Sequence, residues 1–443
     1  MYGTASIFIT YLMLFISCSS PTIVRQKTVG GNDKDEPQSM CLTKDGGFII
    51  AGNSFSQISG EKLVDNRGFI YSDFWIIKFS ANAEIQWQKT IGGDNLEFAR
   101  SISLTYDGGY IVAGESESDS SGDKTQNDRG SADIWVVKLD SIGDIQWDKT
   151  IGGSGSDVCT SIRQTQDGGY IIGAASNSNN SGEKTENSRG DFDIWVIKLD
   201  STGKVEWDKT LGGNKFEYCG GMELTDDNCV VLCGNTASDS FTEKPEKKYG
   251  KIADPWIVKL DMKGNIRWHK IFGGNVDGMF LGISRTNDNG FILSAFSNSD
   301  KGYEKSENSK GSVDIWVVRI DSKGNKMWDK TIGGNGDDSN PWCAKQTMDG
   351  GYIVGARSNS GISGDKTDSC RGNYDFWIVK LNSKGNVQWD KTIGGNDYEE
   401  LKGLAEIKKN NFIITGTSNS GKNGDKTDSS RGAADYWIMY LNK

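Results

Sequence analysis

The chain has a single histidine and only five prolines among its 443 residues. Ser-His-Asp and Cys-His catalysis both need a histidine, so His269 alone would have to serve either arrangement. It stands where four other copies of a repeated segment carry aspartate, which indicates a surface substitution. No glycine-rich phosphate loop precedes a helix, and no carboxylate pair stands out. The sequence therefore predicts a non-enzymatic protein without catalytic residues or a cofactor.

Basic tracts are also missing, since 50 Lys and Arg residues face 60 Asp and Glu residues and the formal charge is −10. Proteins that bind nucleic acids cluster cations against phosphates, so we expect no nucleic-acid partner. Helical periodicity is not evident. The 57 glycines, with abundant Asn, Asp and Ser, instead suit many short strands joined by tight turns.

The cysteines do not indicate a disulfide framework. Apart from Cys18, seven remain, which is an odd number without a repeated spacing. Cys229 and Cys233 would lie about 13 Å apart on a strand, too far to share a metal ion or a bridge. We expect small buried thiols at strand positions and predict no metal site.

What the chain does contain is a repeat. The segment WDKTIGG, which begins at Trp147, recurs at spacings of 60 to 62 residues, and such a period is typical of one supersecondary unit used many times. Its glycine pairs begin at Gly30, Gly92, Gly152, Gly212, Gly273, Gly333 and Gly394.

Each repeat predicts four antiparallel strands. In the third copy they are Ser161–Thr165, Tyr170–Ala175, Asp193–Leu199 and Val205–Leu211, rich in β-branched and aromatic residues. Tight turns join the first strand to the second and the third to the fourth. A long polar loop joins the second to the third. One such sheet cannot bury both faces alone, so the sequence predicts an all-β, seven-bladed β-propeller.

The two chain ends predict how the ring closes. Ile23–Gly31 resembles a fourth strand with no strands before it, and Tyr436–Leu441 a third strand with none after it. We expect the N-terminal strand to complete the last blade in a three-plus-one arrangement, which removes the open edge. Both tight turns should then lie on one face, and the long loops and glycine-pair loops on the other.

Residues 1–17 look like a bacterial lipoprotein signal peptide, because the apolar run Ile7 to Ile16 is short and leads to Cys18. Cys18 would be the lipidated residue, residues 18–22 a linker to the anchor, and residues 23–443 the propeller. A plain secretory signal or a misplaced start codon is the alternative. The expected location is the outer membrane, on its periplasmic or outer side, with contact to the membrane through the lipid anchor only. The short linker would hold the tight-turn face towards the membrane.

The repeated motifs carry a resemblance. Ile151-Gly152-Gly153, Asp167 to Ile171, Ser121 to Thr125 and Trp147-Asp148-Lys149 resemble the β-propeller repeats of exported proteins and lipoproteins from Bacteroidota-type bacteria. The resemblance covers residues 23–443. It implies the fold and export, and says little about activity.

Two polar features occur in every copy. The first is an acidic-lysine pair in the long loop, at Glu61-Lys62, Asp123-Lys124, Glu183-Lys184, Glu243-Lys244, Glu304-Lys305, Asp365-Lys366 and Asp425-Lys426. The second is an aspartate two residues before a tryptophan, at Asp73, Asp133, Asp193, Asp254, Asp314, Asp375 and Asp435. Sevenfold repetition favours hydrogen bonds that tie the loops. Seven cation or glycan sites are the alternative, and the loop carboxylates leave calcium possible. The repeated tryptophans favour packing between blades over sugar platforms.

Positions at which the copies differ are the candidates for binding. The position seven residues before the aspartate of the first tight turn carries Gln38, Arg100, Thr160, Gly220, Leu281, Trp342 and Lys402. We expect this ring where the innermost strands meet the long-loop face. Further candidates at one mouth of the channel are Phe98, Phe216, Tyr218, Phe280, Tyr398, Arg163, Glu223 and Lys345. Neutral drift at exposed loops would give the same pattern.

Three functions remain open. The first is a non-enzymatic envelope lipoprotein that binds a protein partner through its long-loop face. The second is a glycan-binding propeller, with Trp342 as a candidate contact. The third is a polysaccharide lyase or hydrolase, since propellers also host enzymes.

Overall fold

The computed structural model describes residues 20–274 and 278–443. These residues form 28 β-strands in seven four-stranded antiparallel sheets. The predicted seven-bladed β-propeller is therefore confirmed. Across both described ranges, no helix has the length and apolar character needed to cross a membrane. The predicted signal peptide and Cys18 lie outside the described residues.

The first six blades are built in chain order from the central channel outwards, and in the seventh the N-terminal strand is the outermost. The innermost strands are β2 (Asp35–Leu42), β6 (Glu97–Leu104), β10 (Asp157–Gln164), β14 (Glu217–Leu224), β18 (Gly278–Arg285), β22 (Asp338–Gln346) and β26 (Glu399–Lys408). The second strands are β3 (Phe48–Ser54), β7 (Tyr110–Ser116), β11 (Tyr170–Ser176), β15 (Cys229–Thr236), β19 (Phe291–Ser297), β23 (Tyr352–Ser358) and β27 (Asn411–Ser418). The third strands are β4 (Asp73–Phe79), β8 (Asp133–Leu139), β12 (Asp193–Leu199), β16 (Asp254–Asp261), β20 (Asp314–Ile320), β24 (Asp375–Leu381) and β28 (Asp435–Asn442). The outermost strands are β5 (Ile85–Ile91), β9 (Ile145–Ile151), β13 (Val205–Leu211), β17 (Ile266–Ile271), β21 (Lys326–Ile332), β25 (Val387–Ile393) and β1 (Thr22–Val29).

The ring closes as predicted, because β1 completes the seventh sheet in the order β1-β28-β27-β26. The ladder runs from Thr22 opposite Asn442 to Val29 opposite Tyr436. Arg25 Nη1 also donates to the Asn82 carbonyl, 2.6 Å away, in the tight turn between β4 and β5. The closing strand therefore begins on the tight-turn side and ends at the glycine-pair loop.

The first strand of a blade is longer than the sequence pattern suggested. The third copy predicted Ser161–Thr165, whereas β10 covers Asp157–Gln164. The reason is a β-bulge: the ladder with β11 shifts register between Cys159 and Ser161. A bulge breaks the alternation of inward and outward side chains, so a period of two is visible only after it.

The hydrophobic core consists of layers between neighbouring blades. One layer joins Ile134 and Val136 of β8 to Trp195 and Ile197 of β12, and these side chains are at most 1% exposed. The layer between the seventh and first blades includes Val29 of the closing strand. The third-strand tryptophans are fully buried, which confirms their packing role, and they are Trp75, Trp135, Trp195, Trp256, Trp316, Trp377 and Trp437.

Six of these buried indoles find an acceptor on the neighbouring outermost strand. Trp135 Nε1 donates to Asp148 at 3.0 Å, and the same bond joins tryptophan to aspartate in the third, fifth and sixth blades. In the first and seventh blades the acceptors are Gln88 and Gln26, at 2.9 and 3.0 Å. The aspartate of WDKTIGG thus serves the fold as a hydrogen-bond acceptor for the indole.

His269 is the exception. It occupies the acceptor position opposite Trp256, and Trp256 Nε1 is a buried donor with no hydrogen-bond partner among the described residues. The His269 side chain is only 18% exposed, so the predicted surface position is wrong. Pro245 stands where Thr125 of the second blade donates twice to Asp148, so the fourth blade has also lost those donors.

We expect His269→Gln to stabilise the protein, because glutamine already accepts the indole hydrogen bond in two blades. A buried unpaired N–H costs about 1–3 kcal/mol, so the free energy of unfolding should rise by about 1 kcal/mol in urea titrations. Asp148→Ala is the matched control and should lower it, since Trp135 and Thr125 both lose their acceptor. An unchanged or lowered stability of His269→Gln would contradict this account of Trp256.

Candidate functional site

The central channel is lined by residues that the β-bulges push out of the innermost ladders. In β10 the extra residue is Thr160, and the other six innermost strands have a register shift at the corresponding place. The ring residues line one cavity and are Gln38, Arg100, Thr160, Gly220, Leu281, Trp342 and Lys402. The structure thus brings the predicted ring together, although it lies near the middle of the strands and not at their long-loop ends.

A second layer of candidates lies three residues further along each strand. Arg163, Glu223 and Lys345 line the same cavity, whose volume is about 270 Å³. Arg163 and Lys345 also line a second cavity of about 610 Å³ on the tight-turn side. These two cations therefore stand where the two halves of the channel meet.

Arg100, in the ring of bulge residues, forms an ion pair with a carboxylate of its own blade. Its Nε lies 2.9 and 3.1 Å from the two carboxylate oxygens of Glu115 on β7, and its Nη2 donates to the same group. Burial raises the pKa of Glu115, although Arg100 opposes that rise. The guanidinium also lies 5.7 Å from the ring centroid of Phe98. Glu115 therefore compensates the charge of Arg100, and the hydrogen bonds between them fix the position of the guanidinium.

Lys402 is paired in the same way. Its ammonium lies 3.3 Å from the Glu400 carboxylate and 5.0 Å from the ring centroid of Trp342. Trp342 Nε1 and Asn340 Nδ2 both donate to Glu400, at 3.3 and 2.8 Å. Burial would raise the pKa of Glu400, but Lys402 and these donors outweigh it and hold the pKa below its usual range.

The second layer is less completely paired. Arg163 Nη1 donates to the Ile162 carbonyl at 2.9 Å and to Ser103 Oγ at 3.1 Å, and its Nη2 lies 4.0 Å from Glu223. Burial raises the pKa of Glu223, which Arg163 and Lys345 oppose. The Lys345 ammonium makes no hydrogen bond or ion pair to any residue that the structure describes, although its backbone lies in the ladder opposite Ile353.

The aromatic candidates do not form the predicted mouth together. Tyr218 lines the first cavity. Phe280 is fully buried and stacks on Trp316 with ring centroids 6.1 Å apart, so its place at the mouth was wrong. It precedes the bulge, where side chains enter the layer between blades. Phe216 and Tyr398 are half-buried and lie outside the lining of both cavities.

Sequence reasoning missed the second-strand partners. Arg357 of β23 donates to Tyr398 Oη at 2.6 Å and lies 4.6 Å from the ring centroid of Tyr374. Glu115 of β7 occupies the equivalent position in the second blade. The seven copies differ at this position, so the criterion applied to the innermost strands would have found both residues there.

The repeated polar residues tie the loops, as the favoured interpretation predicted. The seven loop lysines are at most 3% exposed, and the seven aspartates are fully buried. Asp133 accepts a hydrogen bond from the Arg129 amide at 2.7 Å. Lys62 donates to Thr90 Oγ1 at 2.7 Å and lies 5.5 Å from the ring centroid of Trp75. No cluster of three or more possible metal ligands occurs in the described ranges.

A second ring of buried acids was not predicted. Asp157 accepts from the Gly153 amide at 2.7 Å and from Ser178 Oγ at 2.9 Å, which ties a glycine-pair loop to a long loop. The fully buried members of this ring are Asp35, Glu97, Asp157, Glu217, Asp338 and Glu399. Because aspartate and glutamate alternate between copies, the position did not appear as a repeat.

Ion pairs on the long-loop face link neighbouring blades. Arg129 contacts Glu183 of the next blade at 2.8 Å, and Arg431 closes the series with Glu61 at 2.7 Å. The other pairs are Arg67 with Asp123, Arg189 with Glu243, Lys310 with Asp365, and Arg371 with Asp425. Between the fourth and fifth blades the contact is a stack of Tyr249 on Tyr303, with centroids 4.6 Å apart. Each half-exposed pair is worth about 0–1 kcal/mol, so they align blades more than they stabilise them.

The long loop of the first blade, residues 55–72, has more exposed apolar side chains than the other long loops. Phe69 is 82% exposed, Ile70 69% and Leu63 66%. Leu63 takes the position of Thr125 and its equivalents, and Phe69 and Ile70 fall in a stretch two residues longer than in the second blade. We call this segment the blade-1 loop.

Sequence comparisons find no matching family model and no similar curated protein. Solved structures that resemble the chain include the Pan2 WD40 domain of Neurospora crassa, with 10% identity, coverage of 94% of this chain and 96% of that one, and a TM-score of 0.47. YCF48 bound to a D1 peptide has 8% identity, coverage of 96% and 100%, and a TM-score of 0.46. A Dyadobacter fermentans protein described as of unknown function has 11% identity, coverage of 96% and 99%, and a TM-score of 0.44. At these scores the similarities carry no argument about function.

The buried aspartates predict a pH dependence of stability. Burial raises the pKa of Asp73 from 3.8 to about 7, so between these values the folded state binds more protons than the unfolded state. The free energy of unfolding should therefore fall as the pH rises from about 4 to 7. In Asp73→Asn this part of the dependence disappears, and the melting temperature should fall less between pH 5 and pH 7.

Asp45→Asn is the control, because the turn around Asp45 lowers that pKa to about 2 after Lys78 and Thr43 outweigh burial. Asp45 titrates below this pH window in both states, so the slope should match that of the unaltered protein. Equal slopes for all three proteins would contradict the raised pKa of Asp73.

Proposed function

We propose that this chain is a non-enzymatic β-propeller scaffold of the cell envelope that binds a protein partner through its long-loop face. The observation that carries the proposal is the blade-1 loop. Contiguous exposed apolar side chains are typical of interaction sites on soluble domains. Ile58, Leu63, Phe69 and Ile70 are each more than half exposed, whereas the matching segment of the second blade is polar.

The blade-1 loop is held in a defined shape. Asn66 is buried, and its Nδ2 donates to the carbonyls of Ser54 and Tyr71 at 2.7 and 2.9 Å. Gln57 Nε2 donates to the Phe69 carbonyl at 3.0 Å. A loop ordered before binding loses little conformational entropy when a partner covers it. This supports a recognition surface over an unstructured tip.

The direction of the closing strand favours protein over lipid as the occupant. Thr22 begins β1 on the tight-turn side, and three residues, Ser19 to Pro21, separate it from Cys18. The four residue steps from Cys18 to Thr22 span at most about 13–14 Å. A lipid on Cys18 would hold the tight-turn face at the membrane, so the blade-1 loop would point away from it.

Glycan binding is less well supported. The ammonium of Lys402 lies over the ring of Trp342, the aromatic residue first considered as a sugar platform. That face of the indole is therefore occupied. No other described contact favours a sugar over a protein partner.

A photo-crosslinking amino acid at position 69 tests the protein-binding surface. We expect one discrete adduct with an envelope protein when the full-length chain is produced in its own membrane. The control position is Ile142, which is 61% exposed in a tight turn on the opposite face. The adduct should be absent at Ile142 and should be lost when Leu63 and Ile70 are changed to serine. Equal labelling at both positions would contradict the proposal.

Cys18→Ser tests the anchor separately. The unaltered chain should incorporate a radiolabelled fatty acid and partition into the detergent phase of Triton X-114. The variant should do neither, because the thiol that carries the lipid is gone. Cys41→Ser is the control and should behave as the unaltered protein. Labelling that persists in Cys18→Ser would exclude Cys18 as the lipidated residue.

A further inference from the structure

We propose that the centre of the channel binds a small organic monocarboxylate, held by Arg163 and Lys345. This site is distinct from the blade-1 loop, and the proposal does not depend on the function proposed above. It concerns ligand chemistry in the channel, whereas the blade-1 loop concerns a macromolecular partner.

Lys345 is the first observation. It is half-buried in the wall shared by both cavities, and its ammonium has no hydrogen bond or ion pair within the described part of the chain. Arg100 and Lys402 in the same channel each have a dedicated carboxylate, Glu115 and Glu400. Withdrawing a cation from bulk water costs free energy unless an anion compensates its charge. An anion beside Lys345 would therefore be stabilised.

Arg163 is the second observation, because its guanidinium is oriented but not saturated. Nη1 is fixed by the Ile162 carbonyl and by Ser103. Nη2 lies 4.0 Å from Glu223, well beyond the roughly 2.7–2.9 Å of a charge-assisted hydrogen bond. Arg163 can therefore donate to a ligand without breaking its existing contacts.

The local charge selects a single carboxylate. Arg163 and Lys345 supply two positive charges and Glu223 one negative charge, which leaves one positive charge in this layer. A monocarboxylate neutralises it. A phosphate, with a charge of about −1.5 to −2, would leave excess negative charge beside Glu223.

The walls favour a small polar ligand. The residue after each bulge is small, and these residues are Ser39, Ser101, Ser161, Gly221, Gly282, Cys343 and Gly403. They leave the space open and include three hydroxyl groups. The cavity volume of about 270 Å³ lies just below the range of typical ligand pockets, about 300–1,000 Å³, and suits a small ligand.

Isothermal titration of the full-length protein at pH 8 tests the site. The probes are lactate and glucuronate, with glycerol and glucose as uncharged counterparts and inorganic phosphate as the competing anion. We expect heat from the carboxylates, and binding at least about tenfold weaker in Lys345→Met and Arg163→Met. Lys384→Met is the matched control, because Lys384 is exposed in a turn of the same blade as Lys345 and the charge change is identical. Its binding should be unchanged.

Glu223→Gln separates ligand binding from damage to the fold. Removing the like charge beside the bound carboxylate should tighten binding several-fold at pH 8. A destabilised channel would weaken binding, so a gain cannot arise from misfolding. Unchanged or weaker binding in Glu223→Gln would overturn the charge argument.

A peptide arm distinguishes a free acid from the carboxyl terminus of a protein. A short Gly-Ser peptide with a free C-terminal carboxylate is compared with its C-terminal amide. Binding of the free-acid peptide alone would assign the carboxylate to a chain terminus, and binding of lactate or glucuronate alone to a small molecule. Both results support a carboxylate site. Absence of carboxylate binding at millimolar concentrations, tighter binding of phosphate, or equal effects of Lys345→Met and Lys384→Met would overturn it.

Discussion

The pairing of β1 with β28 is the contact on which the rest of the propeller depends. Each core layer lies between two blades, so only a closed ring gives every blade two neighbours. The closing strand contributes Val29 to the layer between the seventh and first blades. Gln26 adds the acceptor for Trp437 and donates to the Asp425 carbonyl at 2.8 Å. The channel exists because this ladder fixes the seven innermost strands around one axis.

Repetition and its interruption have different physical meanings in this ring. A residue present in all seven blades, such as the loop lysine or the third-strand aspartate, makes hydrogen bonds that every blade needs to hold its loops. The copies differ mainly at positions where the blade does not require a particular side chain. The fourth blade shows that they can compensate each other, since Pro245 removes two donors and His269 removes their acceptor. Among the described residues of this blade, Nε1 of Trp256 and Nδ1 of His269 are left buried without a hydrogen-bond partner.

The sequence was sufficient for the blades, the closure and the two faces, because strand patterns and turn residues act locally. It was insufficient where the ladder is irregular. The bulge at Thr160 hid the first half of β10, and the same irregularity directs Phe280 into the core. Chemically equivalent substitution hid the buried acids such as Asp157. The apolar blade-1 loop was visible in the sequence as Phe69-Ile70, but its significance required the exposure of those side chains.

The charge of the channel lining is opposite in sign to the net charge of the whole chain. The protein carries −10, yet the first cavity is lined by four cations and one carboxylate, Glu223. Solvent-exposed charges separated by more than about 8 Å are largely screened from each other at physiological salt, so the net charge of the chain does not set the charge inside the channel. Within that distance Glu115 and Glu400 neutralise Arg100 and Lys402. Arg163 and Lys345 share one carboxylate, Glu223, so this layer of the channel keeps one excess positive charge.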